Sequence, residues 1–290
     1  MKKINECPIC NHTSFKPFLK TKDFMITQEE FTIVECENCG FHFTNPAPEE
    51  SKVDKYYQDE AYISHSSSKK GIINWIYNKV REVTLNQKLG WIKKHSEGNN
   101  LLDIGCGTGH FLSKVEKNGY SVTGLEPDPI ARENAAALNG VHPLDIASLK
   151  SLEKQSYDVI TMWHVLEHVY ELKESVETYL NLLKPNGTLF IAVPNLESWD
   201  AQHYKEYWAA YDVPRHLYHF RKKDIENLFK EQNFEVSTTL PMKFDSYYVS
   251  MLSEKYKKGS LLSAVWNGFK SNRKAKKFGY SSQVYVIKRK

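Results

Sequence analysis

Apolar residues recur with two different periods beyond residue 99, and their alternation predicts strands separated by helices. Seven short apolar runs have the length and composition of strands: 101–103, 120–125, 141–146, 157–163, 188–193, 234–240 and 283–287. Between them, residues 129–138, 172–183 and 222–232 carry apolar side chains at helical spacing. This order is typical of an α/β fold in which a mostly parallel sheet has helices on both faces.

Three further stretches depart from that alternation. Residues 72–94 keep one apolar face, which predicts a long amphipathic helix ahead of the first strand. Residues 197–220 are irregular and rich in aromatic residues and histidine, and a long connection of this kind is usually functional. We expect it to form a substrate-side wall. Its histidines follow no metal-ligand spacing, so no second metal site is expected there. Residues 244–272 predict a helical insertion before the last strand.

The stretch LLDIGCGTGHFL, residues 101–112, joins the first strand to a helix. Its glycines stand at alternate positions, and glycine allows the positive φ and the close backbone approach that a turn over a ligand needs. A dinucleotide fingerprint would carry a small residue where His110 stands, whereas Asp103 precedes the first glycine by two positions. The pattern favours a nucleoside-type cofactor other than a dinucleotide. A dinucleotide site and an ordinary strand–helix turn are the alternatives.

Two polar residues follow predicted strands at the edge where ligands enter an open α/β sheet. Glu126 ends the second strand, where its carboxylate can accept hydrogen bonds from both ribose hydroxyls of a nucleoside. A helix-start carboxylate before Pro127 is the alternative role. His164 follows the strand at 157–163, which should lie beside the first strand.

Four of the five cysteines form two CxxC pairs: Cys7 with Cys10, and Cys36 with Cys39. In a reducing compartment such pairs hold metal more often than they form disulfides. Four thiolates suit tetrahedral Zn²⁺ and leave no open coordination position, so the predicted site is structural. We expect residues 1–45 to form a zinc ribbon whose folding energy comes from the metal. A disulfide pair or a site without metal is the alternative.

Charge and hydropathy add little to this picture. The sequence has no apolar run near the roughly 20 residues that span a bilayer, and its start lacks the apolar core of a signal peptide. These features predict a cytoplasmic protein without a transmembrane segment. The net charge is +4, with much of the basic surplus in the last third. That surplus is either a solvated surface or a contact for an anionic partner such as a phosphate-bearing substrate, a membrane surface or RNA.

The motifs DIGCGTG, WHVLEHV and KPNGTLFIAVPN, in this order, resemble class I S-adenosylmethionine (SAM)-dependent methyltransferases across residues 100–290. The chain is most similar to the group around the ubiquinone-biosynthesis O-methyltransferases. A four-cysteine module ahead of such a domain also resembles sugar C-methyltransferases and zinc-ribbon RNA methyltransferases. The resemblance implies a Rossmann-like seven-stranded methyltransferase sheet over residues 99–290, preceded by the zinc ribbon and a helical cap or linker over 46–98.

The resemblance also implies where the cofactor lies. SAM would be held by Asp103, Gly105, Cys106, Gly107, Gly109, Glu126, Asp145, Ile146 and Trp163. Within this set Asp145 matches the acidic residue that accepts a hydrogen bond from the adenine amino group, and helix capping is its alternative role. Four residues of the cap region are candidates for the pocket or for plain packing: Tyr56, Tyr57, Tyr62 and His65.

The implied reaction is methyl transfer from SAM to an oxygen or carbon of a small-molecule acceptor such as a sugar or a quinol. The acceptor needs a base, and histidine titrates near neutral pH. The candidates are His164, His168, His216 and His219, with a hydrogen-bonding wall residue as the alternative for each. His168 is also a candidate for a position near a metal, as in some quinol methyltransferases. RNA as the acceptor, docked on the zinc ribbon and the basic last third, is a second hypothesis. A SAM-binding protein without turnover is a third.

Overall fold

The computed structural model describes residues 1–57 and 72–290, with side chains of the first helix described from residue 78 onward. The candidate pocket residues Tyr62 and His65 lie outside the described residues. The strands are β1 (Phe15–Lys22), β2 (Glu30–Cys36), β3 (His42–Thr44), β4 (Asn100–Ile104), β5 (Ser121–Leu125), β6 (Tyr157–Trp163), β7 (Leu183–Pro194), β8 (Tyr218–His219), β9 (Phe234–Pro241) and β10 (Ser282–Arg289). The α-helices in these ranges are α1 (Ile72–His95), α2 (His110–Glu116), α3 (Pro129–Asn139), α4 (Leu172–Leu182), α5 (Trp199–Tyr204), α6 (Lys222–Lys230), α7 (Asp245–Tyr256) and α8 (Leu261–Phe278).

The central sheet has the strand order β5-β4-β6-β7-β10-β9. Strands β5, β4, β6 and β7 are parallel, while β10 runs antiparallel between β7 and β9. Because β4 and β6 are neighbours in the middle of this sheet, the residues that follow them lie side by side at its carboxyl edge. The predicted α/β architecture is therefore confirmed, including the glycine turn after β4.

The predicted count of seven strands is wrong, because the described residues form six strands in this sheet. Residues 141–146 contribute only one bridge, in which Leu144 pairs in parallel with Leu125. Pro143 lacks an N–H and restricts His142 before it, which prevents a longer ladder. Directly afterwards, the Asp145 side chain caps a 3₁₀ turn that begins at Ile146.

A second sheet, of four strands in the order β1-β2-β3-β8, contains the cysteine knuckles. Its last strand, Tyr218–His219, comes from the histidine-rich segment of the larger domain and pairs antiparallel with β3. The sequence did not predict β1, since this edge strand contains Pro17 and five exposed residues. The ladder shifts register between Pro17 and Leu19, which accommodates the missing N–H.

The predicted insertion before the last strand is a hairpin of the helices α7 and α8. A Cβ placed on Gly268 of α8 would lie 2.9 Å from the Tyr247 Cα, so the two helix backbones approach closely at that glycine. The hairpin also contacts α5 and the turns around residues 205–211. In the described part of the chain, no helix is both long and apolar enough to span a membrane.

Candidate active site

The glycine turn between β4 and α2 opens a space at the carboxyl edge of the sheet. Its three glycines have positive φ: 71° at Gly105, 55° at Gly107 and 75° at Gly109. A Cβ on Gly105 would lie 2.4 Å from Val165, and one on Gly109 would lie 2.4 Å from Val141. At Gly107 a Cβ would meet no described atom within 4 Å. Packing therefore requires glycine at the outer two positions, whereas the middle one faces open space.

Asp103 lies beneath this turn and is 1% exposed. Thr161 donates a hydrogen bond to it from Oγ1 at 2.5 Å. Burial raises the pKa of the Asp103 carboxyl to about 7. The positive charge of Lys88 from α1 acts on this carboxyl and opposes the effect of burial. Burial also lowers the pKa of Lys88 to about 8, although the charges of Asp103 and Asp245 act to raise it. A buried carboxylate in this position favours a cationic ligand group above it.

The Glu126 carboxylate closes the far side of the turn. It accepts hydrogen bonds from the backbone N–H of Gly107 at 2.8 Å and of Asp128 at 3.0 Å. Burial raises the pKa of Glu126. The side chain thus lies next to the glycine that faces open space, and its role in binding a ribose stays a prediction.

Asp145 and Ile146 lie farther along the same edge. Asp145 accepts a hydrogen bond from the Ala147 N–H at 2.9 Å and forms an ion pair with Arg132 at 2.9 Å. The capping role that the sequence left open is therefore present, and the adenine role stays a prediction. Ile146 packs with part of its surface against the main hydrophobic core.

Trp163 ends β6 beside the glycine turn. Its indole Nε1 is buried without a hydrogen-bond partner among the described residues. Phe111 packs edge-on against the ring at 5.3 Å, and the Lys88 Nζ lies 4.2 Å from the ring centroid. A buried N–H without an acceptor costs about 1–3 kcal/mol. This donor, together with the open space at Gly107, fits a ligand that brings hydrogen-bond acceptors into the site.

Cys106 has a free thiol in the turn. Burial raises the pKa of this thiol, with Asp103 and Glu126 adding to the effect. A protonated thiol is a poor nucleophile, so the Cys106 side chain packs in the turn and does not react.

His164 follows Trp163 and lies between two carboxylates. Its Nδ1 is 3.3 Å from Glu167 Oε1, and its Nε2 is 3.0 Å from Asp245 Oδ2. Burial alone would lower the pKa of His164, but the hydrogen bonds to Asp245 and Glu167 outweigh it and raise the pKa to about 10. With both carboxylates in contact, the imidazole is therefore a charged donor at neutral pH.

His168 and His216 meet behind His164, with their rings edge to face at 4.6 Å. His168 Nδ1 donates to the Arg215 carbonyl at 3.1 Å, and burial lowers its pKa to about 4. His216 Nδ1 donates to the Ala210 carbonyl at 2.9 Å. In the neutral form of each ring, Nε2 therefore carries the lone pair.

Glu167 completes this group as a fully buried carboxylate. One ligand atom each from Glu167, His168 and His216 lies within 4.8 Å of the others, and Glu167 Oε2 has no hydrogen-bond partner in the described structure. The set therefore has the donors of a small metal site, contrary to the expectation from histidine spacing. Sequence spacing could not reveal this group of donors, because they come from two segments nearly fifty residues apart.

His219 faces away from these groups and towards the N-terminal sheet. Its Nε2 is 3.1 Å from the Thr44 hydroxyl, which donates to the His216 carbonyl at 2.9 Å. Burial holds the pKa of His219 well below its usual range. The residue joins β8 to β3 and does not reach the open space.

The four paired cysteines form a compact cluster at the end of the N-terminal sheet. Cys7 and Cys39 have their sulfurs 3.6 Å apart, as have Cys10 and Cys36, and all four sulfurs lie within 4.8 Å of one another. Zinc–sulfur bonds of about 2.3 Å in a tetrahedron place sulfurs about 3.8 Å apart. The spacing fits a tetrahedral ion and exceeds a disulfide bond.

The two knuckles have the same backbone geometry. The Asn11 N–H donates to the Cys7 carbonyl at 2.9 Å, and the Gly40 N–H donates to the Cys36 carbonyl at 2.8 Å. Asn11 and Gly40, each four residues after its first cysteine, have φ of 59° and 73°. Residues that tolerate the left-handed region therefore allow each chain to fold around the cluster.

Two residues that the sequence did not single out complete the site. Asp245 begins α7, eighty-one residues after His164, and no local pattern links them. Lys88 lies within the predicted helix α1, where it resembles an ordinary exposed lysine of an amphipathic helix. Glu167 could have been found, since it stands in the motif WHVLEHV beside two candidate histidines.

A comparison with protein families agrees with this geometry. Residues 79–239, more than half of the chain, match the profile of a methyltransferase domain family. The chain belongs to this methyltransferase family.

Curated relatives of this methyltransferase include ubiquinone biosynthesis O-methyltransferases. The protein from Salmonella paratyphi A is 30% identical over 136 residues, which are 39% of this chain and 51% of that protein. The protein from Pectobacterium carotovorum is 34% identical over 119 residues, which are 37% of this chain and 49% of that protein. The chain thus spans about half the length of the curated relatives that it matches.

Solved structures share the fold of this methyltransferase at low sequence identity. Magnesium protoporphyrin IX methyltransferase from Synechocystis, solved with bound S-adenosylhomocysteine, has a TM-score of 0.54 at 14% identity, covering 83% of this chain and all of that one. A SAM-dependent methyltransferase from Archaeoglobus fulgidus has a TM-score of 0.52 at 18% identity, covering 76% of this chain and all of that one.

Proposed function

We propose that this methyltransferase binds SAM over the glycine turn and transfers its methyl group to an oxygen or carbon of a small-molecule acceptor. The observation that carries the proposal is the open space at Gly107 beside the Glu126 carboxylate. The unpaired Trp163 N–H, at the end of the strand next to β4, adds to it. The ubiquinone O-methyltransferase relatives support an acceptor of small size. Bound SAM supplies a methyl group already activated on a sulfonium.

The proposed binding site is tested by filling that open space. A Gly107→Arg variant places a long cationic side chain where the cofactor would lie, and the positive φ of 55° adds backbone strain. We expect calorimetry to show SAM binding by the parent and a loss of at least about a hundredfold in the variant. Gly140→Arg is the matched control, because Gly140 also has positive φ with no described atom within 4 Å of a Cβ. Unchanged SAM affinity in Gly107→Arg would refute the site.

We infer that His164 is the base. Its side chain is 34% exposed, compared with 10% for His216, and it follows Trp163 at the mouth of the site. Glu167 holds Nδ1 and is the positioning residue. When the acceptor hydroxyl takes the place of Asp245 at Nε2, the loss of that anion lowers the pKa of His164, and the Nε2 proton leaves to solvent. Nε2 then takes the acceptor's proton as the methyl–sulfur bond breaks and the methyl–oxygen bond forms.

The base assignment predicts a division between turnover and binding. General-base catalysis contributes about 10²–10⁴ in rate, so His164→Gln should lower kcat by that factor. SAM affinity, measured by calorimetry, should stay within about twofold. His219→Gln is a suitable comparison, because His219 bonds to Thr44 and should affect stability more than kcat. A His164→Gln variant with parental kcat would remove His164 from the mechanism.

We further propose that the four cysteines hold one structural Zn²⁺. The sulfur–sulfur distances of 3.6 Å support it, and so does the chemistry of the donors. Burial raises the pKa of Cys39 to about 11 and also raises that of Cys7, whereas at Cys10 hydrogen bonds outweigh burial and lower the pKa to about 6. Thiolates can be held this close only with a cation between them. All four donors are protein ligands, so the ion would stabilise the ribbon and take no part in methyl transfer.

A further inference from the structure

The helix α8 presents its large apolar side chains to solvent and its small or polar ones to the protein. The buried residues of α8 are Ala264, Asn267, Gly268 and Ser271. Its exposed residues include Leu261, Leu262, Val265, Trp266 and Phe269, at 67%, 84%, 52%, 56% and 40% exposure. A surface helix of a globular protein shows the reverse distribution. We call these five residues the outer face.

Hydrogen bonds on the inner side of α8 hold the helix in this orientation. Asn267 donates to Glu254 Oε1 at 3.0 Å and to the Tyr204 hydroxyl at 3.1 Å. Ser271 donates to the buried Asp200 at 2.6 Å. Rotating the helix to bury its apolar residues would break this buried network, which costs several kcal/mol. The exposure of the outer face is therefore built into the packing.

The outer face is bordered by positive charge. Lys270 Nζ lies 5.3 Å from the Trp266 ring centroid, and the Arg273 guanidinium lies 5.8 Å from that of Phe269. The basic residues of the hairpin and its flanks are Lys243, Lys255, Lys257, Lys258, Lys270, Arg273, Lys274, Lys276 and Lys277. The hairpin has two acidic residues. Asp245 contacts His164, and Glu254 lies within the buried network. The side of the hairpin that faces solvent is therefore positive.

We propose that the outer face docks on an anionic lipid membrane, with its apolar side chains in the headgroup region and the lysines and Arg273 against lipid phosphates. Tryptophan, leucine and phenylalanine on one helix face beside basic residues form the pattern of an interfacial helix. A second copy of the chain fits less well, because a two-fold contact through this face would bring the basic borders together. RNA fits less well, because Leu261, Leu262 and Val265 cannot stack on bases.

The test is sedimentation of the full chain with lipid vesicles. We expect binding to vesicles of phosphatidylcholine and phosphatidylglycerol in equal amounts, and at least tenfold weaker binding to phosphatidylcholine alone. Added salt should weaken the binding, since exposed charges are screened beyond a Debye length. Absence of binding to the mixed vesicles at low salt would overturn the proposal.

Variants separate the apolar and the charged contributions. Leu262→Glu combined with Trp266→Glu should weaken vesicle binding more than tenfold, because each side chain loses its burial in the interface. Lys276→Gln with Lys277→Gln should weaken it about fivefold for each lysine removed. Leu138→Glu is the matched control, because Leu138 is 58% exposed on α3, outside the hairpin. Equal binding by Leu262→Glu/Trp266→Glu and the control would overturn the proposal.

Two other outcomes would assign the outer face to a different occupant. In the first, the protein does not bind vesicles, and light scattering shows a dimer that Leu262→Glu dissociates. That result would overturn the membrane proposal in favour of a second copy of the chain. Binding to single-stranded RNA but not to vesicles would likewise overturn it. These readouts do not depend on the identity of the methyl acceptor.

Discussion

His164 is the side chain whose charge controls the chemistry of the site. Its two ring nitrogens contact Glu167 and Asp245, and with both in place its pKa is about 10. An imidazolium cannot accept a proton, so a base at this position must first release one, and the loss of a carboxylate partner favours that release by lowering the pKa of His164. Asp245 is the partner that belongs to a different element, whereas Glu167 is fully buried three residues away.

Replacing Asp245 should therefore lower the pKa of His164. In Asp245→Asn one anionic acceptor is lost, so the folded-state pKa should fall from about 10 towards the unperturbed value of about 6.5. Catalysis requires the neutral ring, and kcat/KM reports the free enzyme, in which Asp245 contacts His164, so the acid limb of the kcat/KM–pH profile should move to lower pH. NMR titration of the imidazole and the pH profile measure the two effects. Glu153→Gln is the control, because Glu153 is exposed and precedes β6, whereas His164 follows that strand, and it should leave both unchanged. An unshifted limb in Asp245→Asn would contradict the assignment.

The elements show which patterns the sequence could predict. Strands of the central sheet and α1 were predicted within a few residues, because their apolar periods are strong and unbroken. The prediction of a strand at 141–146 was wrong, because Pro143 and the Asp145 cap outweigh the strand preference of its apolar residues. Strand β1 was missed because exposed, lysine-rich edge strands carry no apolar alternation.

The site was predictable only where its residues are close in sequence. The glycine turn and the cysteine pairs depend on local spacing, and the structure places each as a compact group. The contacts of His164 with Asp245, and of His168 with His216, join residues that no local pattern relates. The exposed outer face was also beyond prediction, because apolar residues at helical spacing normally indicate burial.

Loss of the proposed Zn²⁺ should weaken the N-terminal sheet. Cys36→Ser removes one of the four thiolates, and we expect it to abolish stoichiometric zinc and to lower Tm by more than about 5 °C. Mass spectrometry of the metal and calorimetric melting measure these effects. Cys106→Ser is the matched control, since Cys106 lies in the glycine turn, away from the cluster. Full zinc content in Cys36→Ser would contradict the four-cysteine site.

At the scale of the whole molecule, Arg215 connects three parts of the chain. Its side chain is 1% exposed and donates to Asp23 in the β1–β2 connection at 3.0 Å, to Asp212 at 2.6 Å and to the Tyr56 carbonyl at 2.8 Å. The N-terminal sheet, the histidine-rich wall and the turn at Asp54–Tyr56 thus share one buried cation. Arg215 and Asp212 also hold the backbone that carries His216.

Removing that cation should destabilise the protein strongly. Arg215→Met leaves the buried Asp23 and the partly buried Asp212 without their partner. Breaking a buried ion pair in this way costs about 3–5 kcal/mol. Urea denaturation measures the change in the free energy of unfolding. Lys222→Met is the control, because its ion pair with Glu226 is about half exposed and should contribute less than about 1 kcal/mol. Similar losses of unfolding free energy in Arg215→Met and Lys222→Met would contradict a stabilising role of the buried Arg215 ion pairs.

The pairing of β3 with β8 has a consequence for how this chain can be divided. His42 and Phe43 pair with His219 and Tyr218, and Phe41 packs against Tyr218 and Phe220. A chain that begins after residue 45 would leave β8 as a bare edge with an uncovered aromatic surface. The ribbon is therefore not an exchangeable module. A chimera that takes its ribbon from another methyltransferase must take the β8 segment from the same parent.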